Sequence, residues 1–419
     1  MRVLVVTNLY PPTVLGGYEM ACAQVVEALR ARGHQVRVLT SVPTELPGAG
    51  YGDVVRTLRR PDSFERTERP YTRSTFWELE ANVIEAGNVF ALLRELRAFR
   101  PDVCYLWNLI GVGGIGLLGA VELLGVPWVW HLGDAVPAYL CMFEGGVLPV
   151  AAELSKRMSG EFICVSQTLV VNIEHVVALG DRIRLLPNWV LDPAGVVERT
   201  YYEGGPLRVA YAGRLAEDKG VFVLLEALAA VRTEGHDVRL DLFGRGDAAG
   251  VHERIAALRL EGAAQLAGWA PTEELRRRYR DYDLFAFATF ERESFGLAPL
   301  EAAAEGCVPL VSGHCGLAEW LVDGVDCLKA DRAPAAFAAV MARVARGEVD
   351  LGPIGRRAAS VVCRDFTISR AVGEIEEILA AAARPYRPAV GEDTVYRLAV
   401  IAEALARTAI ASGAGYLEA

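Results

Sequence analysis

Short apolar runs alternate with stretches of helical period along almost the whole chain. In the first half the runs are Arg2–Thr7, Gln35–Thr40, Val103–Trp107, Trp128–His131, Phe162–Val165 and Ile183–Leu186. They are continuous rather than alternating in polarity, as strands buried on both faces are. Between them, Glu19–Arg32 closes at Gly33, and Leu79–Phe99 and Gly113–Leu124 carry the helical period. The second half repeats the scheme with Leu207–Ala212, Arg239–Phe243, Gln265–Ala267, Leu284–Ala288 and Pro309–Val311. Repeated βα units predict a parallel sheet in each half with helices on both faces. The expected fold class is α/β, with two doubly wound, Rossmann-like domains facing each other across a cleft.

The stretch 192–206 contains Pro193, Gly195, Gly204, Gly205 and Pro206 and reads as a linker. It divides an N-terminal domain, 1–191, from a C-terminal domain, 207–384. A helical extension, 385–419, follows, with its helix at Asp393–Ala411. Val42–Arg73 is polar and proline-containing, and reads as a long loop or short strands near a substrate.

Composition narrows the class. With 419 residues, 52% of them hydrophobic, the chain has room for two or three domains with large cores and is not globally disordered. A net charge of -10 argues against nucleic acid as a partner. The eight cysteines form no CxxC pair and sit mostly in apolar runs, as reduced buried thiols do. A strand pattern begins at once after Met1, so no signal peptide is expected. Leu109–Val121, the most apolar stretch, is too short and glycine-rich to span a bilayer. A cytoplasmic protein is expected, and a peripheral contact with a membrane surface is compatible with this composition.

Candidate chemistry gathers just after strands. Glu291–Glu305 reads ERESFGLAPLEAAAE, in which Ser294 can cap a helix whose first turn is Phe295, Gly296 and Leu297. Gly306 ends that helix. A helix N-terminus beyond a strand is an anion site, since free N–H groups and the macrodipole point to one place. Continuous helical spacing puts Glu293 and Glu301 about 12 Å apart, roughly the length of a diphosphate with a sugar at each end. Strand Leu207–Ala212 runs into GRLAEDKG, which brings Arg214 and Lys219 into one loop, a pair suited to a diphosphate. Lysine is otherwise scarce, with Lys156, Lys219 and Lys329 the only copies among 43 basic residues. Gly244-Arg245-Gly246 follows the next strand, where missing side chains let backbone approach a ligand. In the first half Gly16-Gly17 opens a helix after the first strand. His131 ends a strand, with Asp134 three residues on.

Taken together these residues resemble the retaining glycosyltransferases of the two-domain GT-B fold, family 4, from Arg2 to about Leu379. The resemblance is carried by Glu293-Ser-Phe-Gly-Leu-Ala-Pro-Leu-Glu301, by Gly213–Gly220, by Gly16-Gly17 and by Pro187-Asn188. It implies transfer of a sugar from a nucleotide-diphosphate sugar to an acceptor nucleophile, with attack from the face the diphosphate leaves. Glu301 would hold the ribose, and Arg214 and Lys219 would neutralise the diphosphate with the N–H groups of Phe295, Gly296 and Leu297. Glu293 would touch the transferred sugar, His131 would lie near its anomeric carbon, and Gly16-Gly17 would line donor phosphate and acceptor. The base would rest near Gly268-Trp269. A uridine diphosphate sugar is the expected donor, a guanosine one the second choice. No metal and no further cofactor is expected, because the two cations replace it. The acceptor would meet Gly48–Phe76, a loop carrying Arg56, Arg59, Arg60, Arg66, Arg69 and Arg73. One departure is Cys315, in Gly313-His314-Cys315-Gly316, where relatives often have a glycine pair.

Two other readings compete. Gly114-Ile115-Gly116-Leu117-Leu118-Gly119 satisfies GxGxxG after a strand, with Asp134 downstream, as in a NAD-dependent oxidoreductase. Its place in mid-domain, rather than after the first strand, speaks against that. A catalytically silent sugar-nucleotide-binding partner is the other, and intact Arg214, Lys219, Glu293 and Glu301 speak against it.

Overall fold

The six apolar runs of the first half and one further strand pair into one parallel sheet, and the five of the second half with one further strand into another. The structure is a computed structural model and describes residues 1–42, 52–60, 84–143, 146–147, 158–193, 195–290 and 293–411. The first sheet contains β1 (Arg2–Val6), β2 (Gln35–Ser41), β3 (Val54–Leu58), β4 (Val103–Leu106), β5 (Trp128–Leu132), β8 (Glu161–Cys164) and β9 (Ile183–Leu185). Between β5 and β8 lies a small antiparallel pair, β6 (Met142–Phe143) and β7 (Gly146–Val147). The order is β3-β2-β1-β4-β5-β8-β9, parallel throughout. Val3, Leu4, Val5 and Val6 are fully buried, so helices cover both faces of β1.

The second sheet contains β10 (Leu207–Ala212), β11 (Val238–Phe243), β12 (Ala264–Gly268), β13 (Leu284–Phe287), β14 (Val308–Ser312) and β15 (Leu328–Ala330). Its order is β12-β11-β10-β13-β14-β15, also all parallel. Leu207, Val209 and Tyr211 of β10 share a core with Leu224, Leu225 and Leu228 of the helix Val221–Thr233. Phe337 and Met341 of the helix Pro334–Ala345 complete it. In each sheet the strand order reverses direction once, between β1 and β4 and between β10 and β13. At such a point the loops leaving neighbouring strands part and open a crevice at the carboxyl ends.

The chain divides into two compact units. Unit 1 is Met1–Cys164, Val170–Leu186 and Val372–Ala419, and unit 2 is Val165–Leu169 with Pro187–Ala371. Sequence placed a single crossing at 192–206, a stretch whose described residues are irregular. The structure instead adds a short excursion, Val165–Leu169, and a return inside the helix Ile368–Ala382. The C-terminal stretch is part of unit 1. Glu376 pairs with Arg32 at 2.7 Å and His34 at 2.7 Å, and Glu392 pairs with Arg97 at 2.7 Å. Glu403, on the helix Glu392–Ala411, accepts the Ala86 N–H at 2.6 Å.

Most strands match their sequence limits within about a residue, but two helices do not. The helix assigned to Leu79–Phe99 runs Ala86–Phe99, its first five expected positions (79–83) lying outside the described residues. The motif helix is shorter than expected and runs Leu297–Ala304.

Candidate active site

In unit 2 the loops that leave β10 and β13 meet backbone to backbone. A Cβ on Gly220, at φ +77°, would lie 1.8 Å from the Ala288 carbonyl oxygen, so only glycine fits. This contact carries Lys219, at the end of the turn Glu217–Lys219, across to the β13 loop. Its Nζ pairs with Glu293 Oε2, and Thr289 Oγ1 donates to the same oxygen at 3.0 Å. The two ion-pair side chains retain 24% and 15% of their exposure, enough to meet a ligand. Arg214 lies in the same loop and pairs with Asp218 at 2.7 Å, with its carbonyl accepting from Tyr211 OH at 2.7 Å. That pair is more exposed, so it is worth little by itself and gives way to a stronger anion at small cost.

Ser294 does not cap the motif helix. The N-cap is Gly296, at φ +107°, with no side-chain cap bond. Ser294 and Phe295 therefore belong to a loop, Glu293 stands outside the helix, and the axial spacing expected for Glu293 and Glu301 does not apply. The reason is the packing of that loop. The carbonyls of Glu293 and Phe295 accept the N–H groups of Gly316 and Leu317 at 3.0 and 2.9 Å, and the Ser294 carbonyl accepts Ser166 Oγ at 2.6 Å. In a planar trans peptide the next N–H points opposite to the carbonyl. The N–H groups of Ser294, Phe295 and Gly296 are thereby turned to the other side, and none has an acceptor among the described residues. With the Leu297 N–H, which also has no acceptor among the described residues, they offer a nest for an anion at a helix start.

Glu301 lies one turn into that helix, half-buried. Burial raises its carboxyl to about 7, against the pull of Arg276. Arg276 bonds to Glu305 instead, at 3.1 Å, and among the described residues no hydrogen bond or ion pair engages Glu301. A half-buried acceptor with no donor among the described residues is a place for a ligand hydroxyl. At the ends of β11 and β12, Trp269 is 57% exposed and Arg245 stands 4.4 Å from its ring. Gly268, at φ +79°, has open space where a Cβ would be. Gly244 does not: its Cβ would meet the Gly213 carbonyl oxygen at 1.8 Å, so its lack of a side chain serves loop packing.

In unit 1, β5 buries His131 to 1% exposure. Burial lowers its pKa to about 3, so the ring is neutral. Its Nδ1 bonds Tyr105 OH at 2.7 Å, and Trp107 stacks on it at 4.3 Å. Tyr18 donates to the His131 carbonyl and packs on Trp107 at 5.5 Å. Trp107 Nε1 is buried, with no acceptor among the described residues. Asp134 is exposed and accepts the Ala135 N–H at 2.8 Å. Gly16 and Gly17 are exposed at the start of the helix Gly17–Ala31. Buried Glu19 accepts the N–H groups of Gly16 and Leu15 at 2.9 and 3.3 Å, fixing this turn.

Packing accounts for two of the three glycines of the dinucleotide fingerprint. A Cβ on Gly114 would strike Leu109 at 2.8 Å, and one on Gly116 would strike Ile84 at 2.9 Å. Those glycines admit the chain's own side chains. Cys315 is buried, its thiol pushed up to about 12 by burial, and it precedes the turn Gly316–Glu319. Of the expected acceptor loop, 48–51 and 61–76 lie outside the described residues. Arg56 donates to the Tyr10 carbonyl at 3.2 Å and to that of Pro11. Glu291 and Arg292 also lie outside. Among the described residues no three His, Cys, Asp or Glu side chains group as metal ligands, and no helix is long and apolar enough to cross a membrane.

Sequence reasoning missed Ser166, Thr289, Tyr18, Tyr105 and Trp107. Tyr105 and Trp107 end a strand as His131 does, a usable signal. Ser166 gives none.

Both halves of the chain resemble known proteins. Residues 16–189 match the family model described as a glycosyl transferase 4-like domain, and 206–346 match that of glycosyl transferases group 1. The amylovoran biosynthesis glycosyltransferase AmsK of Erwinia amylovora is 31% identical over 42% of this chain and 44% of its own length. The glycogen synthase of Mycobacterium tuberculosis is 26% identical over 81% of this chain and 85% of its own. Among solved structures, Anabaena HepE in complex with UDP-glucose superposes with a TM-score of 0.65 at 17% identity, covering 91% of this chain and all of that one. The two matched domains, on two parallel α/β sheets of this order, identify the chain as a glycosyltransferase of the GT-B fold.

Proposed function

We propose that the protein is a retaining glycosyltransferase whose donor is a nucleotide-diphosphate sugar bound in unit 2, and that it works without a divalent metal. The carrying observation is that Lys219, Glu293 and the N–H groups of Ser294–Leu297, which have no acceptor among the described residues, belong to one loop region at the crevice between β10 and β13. In this reading the diphosphate sits in the nest, with Lys219 and Arg214 supplying the positive charge that a metal supplies elsewhere. Glu301 accepts the ribose hydroxyls. The exposed Trp269 face, backed by Arg245, suits a planar base beside the open Gly268. The UDP-glucose bound by HepE supports UDP as the nucleotide.

As the bond to the anomeric carbon breaks, negative charge grows on the leaving phosphate and positive charge on the sugar. Lys219 and the N–H nest answer the first, and Glu293 answers the second. Glu293 is held by Lys219 and Thr289 at one oxygen. That supports a role as a fixed charge rather than an attacking nucleophile, and hence attack by the acceptor on the face the diphosphate leaves. Unit 1 serves the acceptor through the Gly16-Gly17 rim and the neutral, stacked His131. The test is transfer from UDP-glucose and GDP-mannose to a panel of sugar and lipid-linked acceptors, with the anomer followed by NMR. An inverted product would refute retention. Absence of both donor hydrolysis and transfer across all nucleotide sugars would refute the enzyme.

A further inference from the structure

We infer that Ser166 is a positioning residue for the donor's diphosphate, acting through one peptide unit of the motif loop. The inference rests on the donor site proposed above and goes beyond it, since Ser166 touches no ligand there. Ser166 is fully buried. It lies in Val165–Leu169, a stretch of unit 2 whose neighbours on both sides belong to unit 1. Its Oγ donates to the Ser294 carbonyl at 2.6 Å and accepts the Leu169 N–H at 3.0 Å, so the hydroxyl proton has one available direction.

The three carbonyls of Glu293, Ser294 and Phe295 are all held, but not in the same way. Those of Glu293 and Phe295 bond backbone N–H groups of the loop after β14. The middle one bonds a side chain. Gly316 reaches the same place: a Cβ there would lie 2.0 Å from the Ser294 oxygen and 2.7 Å from Ser166 Oγ. The oxygen therefore sits in a slot closed by Gly316 and plugged by Ser166. Because the peptide is planar and trans, the slot fixes the N–H of Phe295, which points to the opposite side. Phe295 N–H is the central donor of the nest. Without the Ser166 hydroxyl the Ser294 carbonyl loses its partner while buried, and rotation of the Ser294–Phe295 peptide relieves that loss. The same rotation withdraws the Phe295 N–H from the anion.

The stretch has a second anchor that keeps Ser166 in register. Glu319 accepts the N–H groups of Gln167 and Thr168 at 2.6 Å each, and Trp320 Nε1 donates to the Val165 carbonyl at 3.2 Å. Glu319 and Trp320 directly follow the segment that bonds the motif loop. One short segment, Gly316–Trp320, thus aligns both the carbonyl and the hydroxyl that plugs it.

The test compares binding of UDP and of uridine, and of GDP and of guanosine, by calorimetry to wild type and to Ser166→Ala, with thermal melting as a folding check. A lost bond to a charged group corresponds to roughly ten- to a hundredfold in affinity. The expected result is a loss of that size for the diphosphate that wild type binds, with the matching nucleoside unchanged. Gly316→Ala, which displaces the same carbonyl while keeping Ser166, is expected to show the same phosphate-specific loss. If wild type binds a diphosphate far more tightly than its nucleoside and Ser166→Ala leaves that ratio intact, the inference is wrong and the donor site stands. Equal loss of nucleoside and nucleotide also overturns it, marking Ser166 as merely structural. If wild type binds neither diphosphate better than its nucleoside, donor site and inference fall together.

Discussion

Glu301 offers a sharp test of the donor site, because the group is charged or neutral according to a pH that assays can cross. Burial raises its carboxyl from 4.5 to about 7 in the ligand-free protein. Ribose hydroxyls donate, so the ionised form binds them better. With a pKa near 7, the ionised fraction falls from about nine-tenths at pH 8 to about one-tenth at pH 6. Donor KM is therefore expected to rise about tenfold over that interval, with kcat nearly constant, since the contact is the same in ground and transition states. A sugar nucleotide has no phosphate ionisation in this range to confuse the result. Glu301→Gln should show a high and flat KM. The ligand-free protein carries the matching stability signature. The folded state holds this proton more tightly than the unfolded one, so the contribution is fully present below about pH 4.5 and is lost as pH rises through about 7. The rise in pKa corresponds to about 3 kcal/mol, a slope that Glu301→Gln removes. A wild-type KM that stays flat from pH 8 to 6, or an equal slope in Glu301→Gln, refutes the assignment of Glu301 to the ribose.

Three other outcomes follow from the site. Glu293→Gln and Lys219→Ala should each lower kcat by about 10²–10³ with a smaller change in donor KM, checked by steady-state kinetics on folded variants. Transfer should survive EDTA and dialysis, and a large loss restored by Mg²⁺ or Mn²⁺ would show that a metal neutralises the diphosphate. Gly220→Ala should destabilise unit 2 by at least about 1–3 kcal/mol in chemical denaturation, because its new Cβ meets the Ala288 carbonyl at positive φ.

Much of the fold was legible because parallel strands are buried on both faces and so become continuous apolar runs. The same logic failed at the termini of elements. Serine before an apolar helical pattern is a good cap signal, yet Ser294 is drawn away by bonds from residues far off in sequence, and Gly296 takes the cap. Gly244 was read as letting backbone approach a ligand, but a glycine does not say what approaches. Here it is the Gly213 carbonyl. The unit boundary was misplaced for a related reason. Proline and glycine mark 192–206 as irregular, whereas Val165–Leu169 has the composition of any strand-to-helix turn, and only tertiary bonds assign it to unit 2. The C-terminal stretch was opaque because its anchors, Arg32–Glu376 and Arg97–Glu392, are long-range ion pairs.

The pairing of Lys219 with Glu293 lay within reach of sequence spacing and its supports did not, and the chemistry explains the asymmetry. In the proposed site Lys219 and Glu293 reach the ligand, so they stand at fixed short distances from strand ends, where sequence spacing can find them. The groups that hold them act through backbone. The nest is made of N–H groups that every residue but proline carries, and its orientation is set by three carbonyls. What selects the orientation is the far side of each peptide, where Gly316, Leu317 and Ser166 bond the three carbonyls. A serine in that position looks like any polar residue at a strand end. Its function appears only when the carbonyl it bonds is followed across the peptide plane to the N–H on the other side.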